Sequence, residues 1–381
     1  MTATLLAILI ENGNLTWTTN LSEALPNMGN SMSAGHRNTT LAMLAAHRSG
    51  ITGEINVKNR TLWTQLYDPQ LQRVDGRQLV IQSVVVTPPD LSPNTTYSYS
   101  NTNYMILGHI IYQRGIVWEQ LIHKKLWAPL GMTGCGFGTP PESSLTAIEN
   151  PWPHYFLGSI PIPVTPDALS DNPPTLGPAG TVHCSMPSYS KFLALHLDGL
   201  KGKDTVVLKA SSFETLHTPY PGQNYTSGGW ATSSDDRFGG SFLWHTGSNT
   251  LNYALAVLAP SRDDAFAGLT NVGGLEADNG TSEAAIGFFD GSLDLSAGSQ
   301  TKGTTAVTNA ATSTSQNITT GAANSAITSS TTASAAITST ATSATTSTTS
   351  SVTKAGVTSI QAPQLVNAIV LGVVGVALLW V

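Results

Sequence analysis

Charge is scarce in this chain. Lysine and arginine number 17 and aspartate and glutamate 23 over 381 residues, a net charge of −6, with no basic cluster. A polyanion would find no counter-surface here, which excludes nucleic acid as a partner. Cysteine occurs twice, at Cys135 and Cys184, too few for a disulfide-built scaffold. The two either pair in an oxidising compartment or stay as buried thiols. The nine histidines fall in no His-Glu-x-x-His spacing and no paired-cysteine motif exists, so no metal or other cofactor is expected. No internal repeat is present, which excludes solenoids and propellers.

Large side chains are unevenly spread. Residues 1–294 are mixed in composition and hold all but one of the eight tryptophans, enough for one sizeable core. Residues 295–364 are almost entirely Ser, Thr, Ala, Gly and Val, with Lys302 and Lys354 the charged exceptions. Such a segment lacks the side chains to offset its ordering entropy and reads as a disordered, O-glycosylated stalk. Residues 365–381 are apolar apart from Asn367. With the small residues before them they read as a glycosylphosphatidylinositol signal, the alternative being a short membrane helix. Sequons at Asn14, Asn20, Asn38, Asn59, Asn94, Asn224, Asn279 and Asn317 fit a glycoprotein that is secreted or held at the cell surface by its C-terminal tail.

Apolar periodicity predicts helices over residues 2–11, 38–48 (capped by Asn38 or Thr39), 103–114, 117–126 and 188–198, the last ending at Gly199. Alternation with Gly, Asp and Pro turns predicts strands over 228–232, 240–244, 252–259 and 265–271. Helices first and an antiparallel run last make an α+β fold, a sheet flanked by helices.

Two polar motifs stand out against this background. Tyr99-Ser100-Asn101 opens the 103–114 helix, and His245-Thr246-Gly247-Ser248 follows the apolar run Phe242-Leu243-Trp244. A phenol, a carboxamide and a hydroxyl beside a glycine supply proton transfer, substrate holding and oxyanion binding, the needs of acyl transfer. Four further segments accompany them: the helix Met1 to Leu15, Leu44-Ala45-Ala46-His47-Arg48-Ser49-Gly50-Ile51, Leu126-Trp127-Ala128-Pro129-Leu130-Gly131-Met132 and Pro178-Ala179-Gly180. In this order the six resemble the beta-lactamase-related serine hydrolases, the class C beta-lactamase and penicillin-binding-protein-like superfamily.

The resemblance implies a beta-lactamase/transpeptidase-like fold with a helical subdomain and a site in the cleft beside the sheet. It implies Tyr99 as general base, Asn101 as a partner of the acyl carbonyl, and the Ser248 N–H as half of an oxyanion hole. Thr246 and Gly247 would touch the substrate, and His47, Ser49 and Gly50 would form a structural turn; Trp152, by its aromatic character alone, either lines the substrate cleft or is a buried aromatic. His245 stands where beta-lactamases carry lysine, as in the esterase and aminopeptidase branches, which points away from penicillin and toward a small ester or amide. Ser188, in place of a common aspartate, is expected to cap its helix. The family's Ser-x-x-Lys turn is not spelled upstream of Tyr99, and its place would fall just before Met1. The expectation is a domain short of that turn and of the family's N-terminal strands, with an open sheet edge and no catalysis as written. The alternative is a non-catalytic surface glycoprotein that uses the cleft for binding.

Overall fold

The computed structural model describes residues 1–13, 15–141, 149–158, 160–293 and 378–380. The stalk at 295–364, most of the tail, Asn14 and Asn317 lie outside the described residues.

The sheet that carries the site is four-stranded and antiparallel, in the order β5 (Ala231–Asp235), β6 (Gly240–Ser248), β7 (Tyr253–Ala259), β8 (Asp264–Thr270). Every residue of β7 is buried, because both faces of that strand are covered. Alternate side chains go to opposite sides. Ala254, Ala256 and Leu258 join one core with Leu5 and Phe192, while Tyr253, Leu255 and Val257 join another with Ala277, Ala285 and Phe289. The first core is built on α1 (Thr2–Glu11) and α6 (Met186–Leu200), the second on α8 (Leu275–Asp290). Among the described residues β8 pairs with β7 alone and forms an edge.

The helical subdomain contains α2 (Leu41–Ala45), α3 (Arg73–Val85), α4 (Asn101–Tyr112) and α5 (Trp118–Ile122). Ile81 of α3 and Ile106 and Ile110 of α4 share a core with Leu6, Leu41 and Leu44, so α1 belongs to both cores. Helix α7 (Ala210–His217) packs on α6. Two smaller pairs complete the strands: β1 (Cys135–Phe137) with β4 (Val182–Ser185), and the hairpin β2 (His154–Leu157) with β3 (Ile160–Pro163). The tail segment Leu378–Trp380 lies antiparallel to β4.

Cys135 and Cys184 face each other across β1 and β4 and form a disulfide, which resolves the open choice between a bridge and free thiols. Of the sequons, Asn38, Asn59, Asn94, Asn224 and Asn279 are exposed. Asn20 is half-buried and its side chain accepts from the Glu23 N–H as a helix cap. Among the described residues no helix is long and apolar enough to cross a membrane.

Several local expectations are corrected. The helix expected over 38–48 is confined to α2, capped by the Thr40 hydroxyl rather than by Asn38 or Thr39, and His47 at φ 55° turns the chain out of it. Helix α6 starts at Met186 and runs through Gly199, so Ser188 lies inside it and caps nothing; its hydroxyl accepts from the Gly134 N–H at 2.9 Å. Gly199 is not a stop but a contact, since a Cβ there would sit 2.2 Å from the Phe213 ring of α7. Helices α3, α7 and α8 were not foreseen, because polar residues, and in α3 and α8 glycine as well, interrupt the apolar period.

Candidate functional site

The site forms where three sequence-distant segments meet: the start of α1, the start of α4 and the middle of β6. Their meeting depends on close packing. The Thr2 hydroxyl donates to the Pro178 carbonyl at 2.6 Å, tying α1 to the Pro178-Ala179-Gly180 turn. That turn presses on α4 at Gly108, where a Cβ would come within 2.2 Å of the Pro178 ring. At Gly50 the chain takes φ 80°, and a Cβ would come within 2.1 Å of the Leu91 carbonyl. Gly108 is fixed by space alone, Gly50 by space and by conformation.

A buried polar network holds the Tyr99 to Asn101 segment. Ser49 Oγ donates to Asn103 Oδ1 at 2.7 Å, and His47 Nδ1 accepts from the Ser100 N–H and the Asn103 amide, both at 3.2 Å. The His47 ring packs against Tyr99 with centroids 4.2 Å apart and planes tilted by 35°. Burial lowers the His47 pKa to about 3, so it is neutral and structural, in keeping with the turn expected of His47, Ser49 and Gly50. Ser100 is the N-cap of α4, and the N–H of Asn101 is taken by the Glu54 carboxylate at 2.9 Å. Glu54, which the sequence did not flag, thereby places an acid at the positive end of the helix.

Tyr99 and His245 come together, their ring centroids 6.4 Å apart. Both line a cavity of about 70 Å³ with Thr2, Tyr104, Tyr225 and Trp230 among its walls. Tyr99 donates a long hydrogen bond, 3.5 Å, to Asn101 Oδ1 and remains 41 % exposed, so the cavity opens outward past it. Although part of the side chain is exposed, the surroundings of its hydroxyl are packed, and that local burial, then the neighbouring Glu54 and Tyr97, holds its pKa above the ordinary phenol value. Burial pushes His245 down to about 4. Among the described residues, no lysine, arginine, aspartate or glutamate side chain lines this cavity. At neutral pH it is a surface of uncharged donors and acceptors, and nothing in its wall activates the phenol as a base.

The other expected residues are placed less centrally. Thr246 and Gly247 continue β6 opposite Leu255 and Ala254, and Ser248 ends it, exposed, with its hydroxyl donating to the Asn252 carbonyl at 2.8 Å. Trp152 is not in the cavity wall; its carbonyl accepts from the Asn271 amide at 2.9 Å, beside the β2 hairpin. Ser188 and Lys191 have the Ser-x-x-Lys spacing, yet Ser188 is committed to Gly134, Lys191 turns to the Gly131 carbonyl, and neither lines the cavity. Among the described residues no group of three or more metal-ligating side chains occurs. Tyr225, unmarked in the sequence, contacts His245 directly.

An antiparallel sheet packed by helices, with a helical subdomain facing its end and a phenol meeting a strand imidazole, is the beta-lactamase/transpeptidase-like architecture. A sequence model of the beta-lactamase family matches residues 1–287, and the chain belongs to that family. Over 217 residues it is 30 % identical to penicillin-binding protein 4 of Amycolatopsis lactamdurans, covering 55 % of this chain and 52 % of that protein. Over 146 residues it is 27 % identical to the unguisins hydrolase ungD of Aspergillus violaceofuscus, covering 35 % of this chain and 23 % of the relative. The chain thus spans about half or less of the length of these relatives. Among solved structures it is similar to the octameric penicillin-binding protein homologue from Pyrococcus abyssi, with a TM-score of 0.56 and 20 % identity over 76 % of this chain and 64 % of the other. It is also similar to a D-stereospecific amidohydrolase from Streptomyces sp., with a TM-score of 0.54 and 21 % identity over 71 % and 79 % of the two chains. At these identities the structures establish the fold.

Proposed function

We propose that this domain belongs to a serine hydrolase acting on small, uncharged esters or amides through an acyl-enzyme. The observation that carries the reading is the approach of Tyr99 to His245 over a cavity that also takes the start of α1. Tyr99 is the proton carrier, Asn101 its carboxamide neighbour, and the edge of β6 from His245 to Ser248 the cradle for the acyl group. A cavity wall without a cation favours a substrate without a carboxylate beside the scissile bond, against a penicillin. Similarity in sequence to an unguisins hydrolase, and in fold to a D-stereospecific amidohydrolase, supports amide or ester chemistry.

Residues 1–381 alone are proposed to be inactive. Among the described residues the one aliphatic hydroxyl in the cavity wall, that of Thr2, is spent on Pro178, and the family resemblance puts the attacking serine on the turn leading into α1. A second reading is a binding module that uses the same cleft. The composition of 295–381 supports display outside the cell on a stalk with a lipid-anchored tail. Incubating residues 1–381 with a fluorophosphonate probe and a chromogenic acetate ester tests the enzymatic claim. The expected result is no label and no turnover, with both appearing when a Ser-x-x-Lys turn is fused ahead of Met1. Labelling of the unextended chain overturns the claim of inactivity, and failure of the fusion to react favours the binding module.

A further inference from the structure

The hairpin of β2 and β3 turns apolar side chains outward. Tyr155, Phe156, Leu157 and Ile160 are 46, 38, 65 and 60 % exposed. Three of them are consecutive, so both faces of β2 present a large apolar group to solvent. A solvated hairpin alternates apolar with polar residues, whereas no lysine, arginine, aspartate or glutamate occurs between Glu149 and Asp167. Single exposed apolar residues need no explanation, but a contiguous, uncharged cluster marks a contact surface. The backbone narrows the choice of partner. Phe156 is paired with Pro161 and Leu157 with Ile160, so the strands satisfy one another, and Pro161 and Pro163 leave the free edge of β3 without N–H donors there. A further strand from another chain therefore gains no ladder on that edge. A lipid phase, by contrast, surrounds both faces and requires only that backbone polar groups be paired internally.

We propose that the end of this hairpin docks into the uncharged surface of a lipid bilayer, with Leu157 and Ile160 among the acyl chains and Tyr155 at the headgroup boundary. From His154 to Leu157 the strand rises about 10 Å, the depth that interfacial segments reach. The base of the hairpin is fixed to the sheet. His154 donates its N–H to the Leu251 carbonyl at 3.3 Å, in the turn that follows Ser248, and bridges to Val272 beyond β8. Docking would therefore hold the end of β6, one rim of the cleft, beside the lipid. This goes beyond the hydrolase reading and does not depend on it.

Cys135 and Cys184 are paired, so Leu157→Cys in the full chain adds one thiol for an environment-sensitive fluorophore. Val206→Cys is the reference; Val206 is 77 % exposed and close in sequence to Lys209, whose N–H donates to the Glu11 carboxylate at the end of α1 away from the cleft. Phosphatidylcholine vesicles, with and without bromine in their acyl chains, are the probe. On vesicle-bound protein the label at position 157 is expected to shift to the blue and to be quenched by brominated lipid, and the label at position 206 to do neither. Comparing two positions on bound chains separates the hairpin from the apolar C-terminal residues. Adding Ile160→Asp to the Leu157→Cys protein, with its melting temperature unchanged, is expected to lower the inserted fraction about tenfold, the scale of one large apolar side chain. No quenching at position 157, or equal quenching at both positions, overturns the proposal. So does a blue shift without vesicles that grows with protein concentration, which would give the patch to a second copy of the chain. The readout needs no hydrolysis, so this proposal and the hydrolase reading fail separately.

Discussion

Replacing Ser49 with alanine removes one oxygen from the buried network beneath the site, and its cost can be worked from the geometry. Ser49 and Asn103 have no exposed surface. The lost hydroxyl donates to Asn103 Oδ1 at 2.7 Å and accepts from the Ile51 N–H at 3.1 Å. The variant leaves one buried acceptor and one buried donor unpaired, each costing about 1–3 kcal/mol. Some relaxation of Asn103 brings the sum to about 2–4 kcal/mol, which for a domain of this size lowers Tm by ~4–8 °C. The damage should reach the site, because Asn103 bonds His47 and His47 packs against Tyr99. Thermal unfolding of Ser49→Ala beside Ser31→Ala is the assay; Ser31 is exposed and its hydroxyl reaches only the Met28 carbonyl, so that change should stay within about 0.5 kcal/mol. If Ser49→Ala melts within about 1 °C of the native protein, the network does not hold the site together.

Asp171 offers a test in pH. Burial raises its pKa to about 7 despite a hydrogen bond from Asn249 at 3.1 Å. A carboxyl whose pKa is higher folded than unfolded stabilises most below its unfolded value and loses that contribution as pH rises through 7. Asp171→Asn should therefore gain up to ~4 kcal/mol on the native protein between pH 4 and 8; parallel melting profiles would contradict this. The buried histidines act in the opposite window. His217, hydrogen-bonded to His196 at 2.8 Å, is lowered to about 4 by burial, so its contribution is complete above about 6.5 and lost as pH falls toward 4. His217→Gln should flatten acid destabilisation over that range, and an unchanged slope would count against it. Reducing Cys135–Cys184 reopens a 49-residue separation and should cost ~4 kcal/mol, read as a lower denaturant midpoint with reductant present.

The parts of the fold that were legible in the sequence are those where one physical signal dominates. Helix α1 is apolar on nearly every side, and β7 is an unbroken apolar strand bounded by turns. The positions of Tyr99, Asn101 and His245 were legible because polar motifs interrupt such runs. What escaped reading depends on partners distant in sequence. Gly199 looks like a helix stop until Phe213 is placed against it, and Asn101 looks like a cap until Glu54 supplies its carboxylate. Trp152 looked like a cleft residue by its aromatic character, yet its backbone serves Asn271 beside the hairpin. Tyr225 carried no local mark, since its partner His245 lies 20 residues away on another element.

The central claim is that Tyr99 and His245 face each other across one uncharged cleft. A nuclear Overhauser measurement between the assigned ring protons of the two residues tests it most directly. With centroids 6.4 Å apart the edges of the rings are within reach, and a cross-peak is expected at pH 7.5. Its absence, with both rings assigned and the His47 to Tyr99 cross-peak present, would contradict the account.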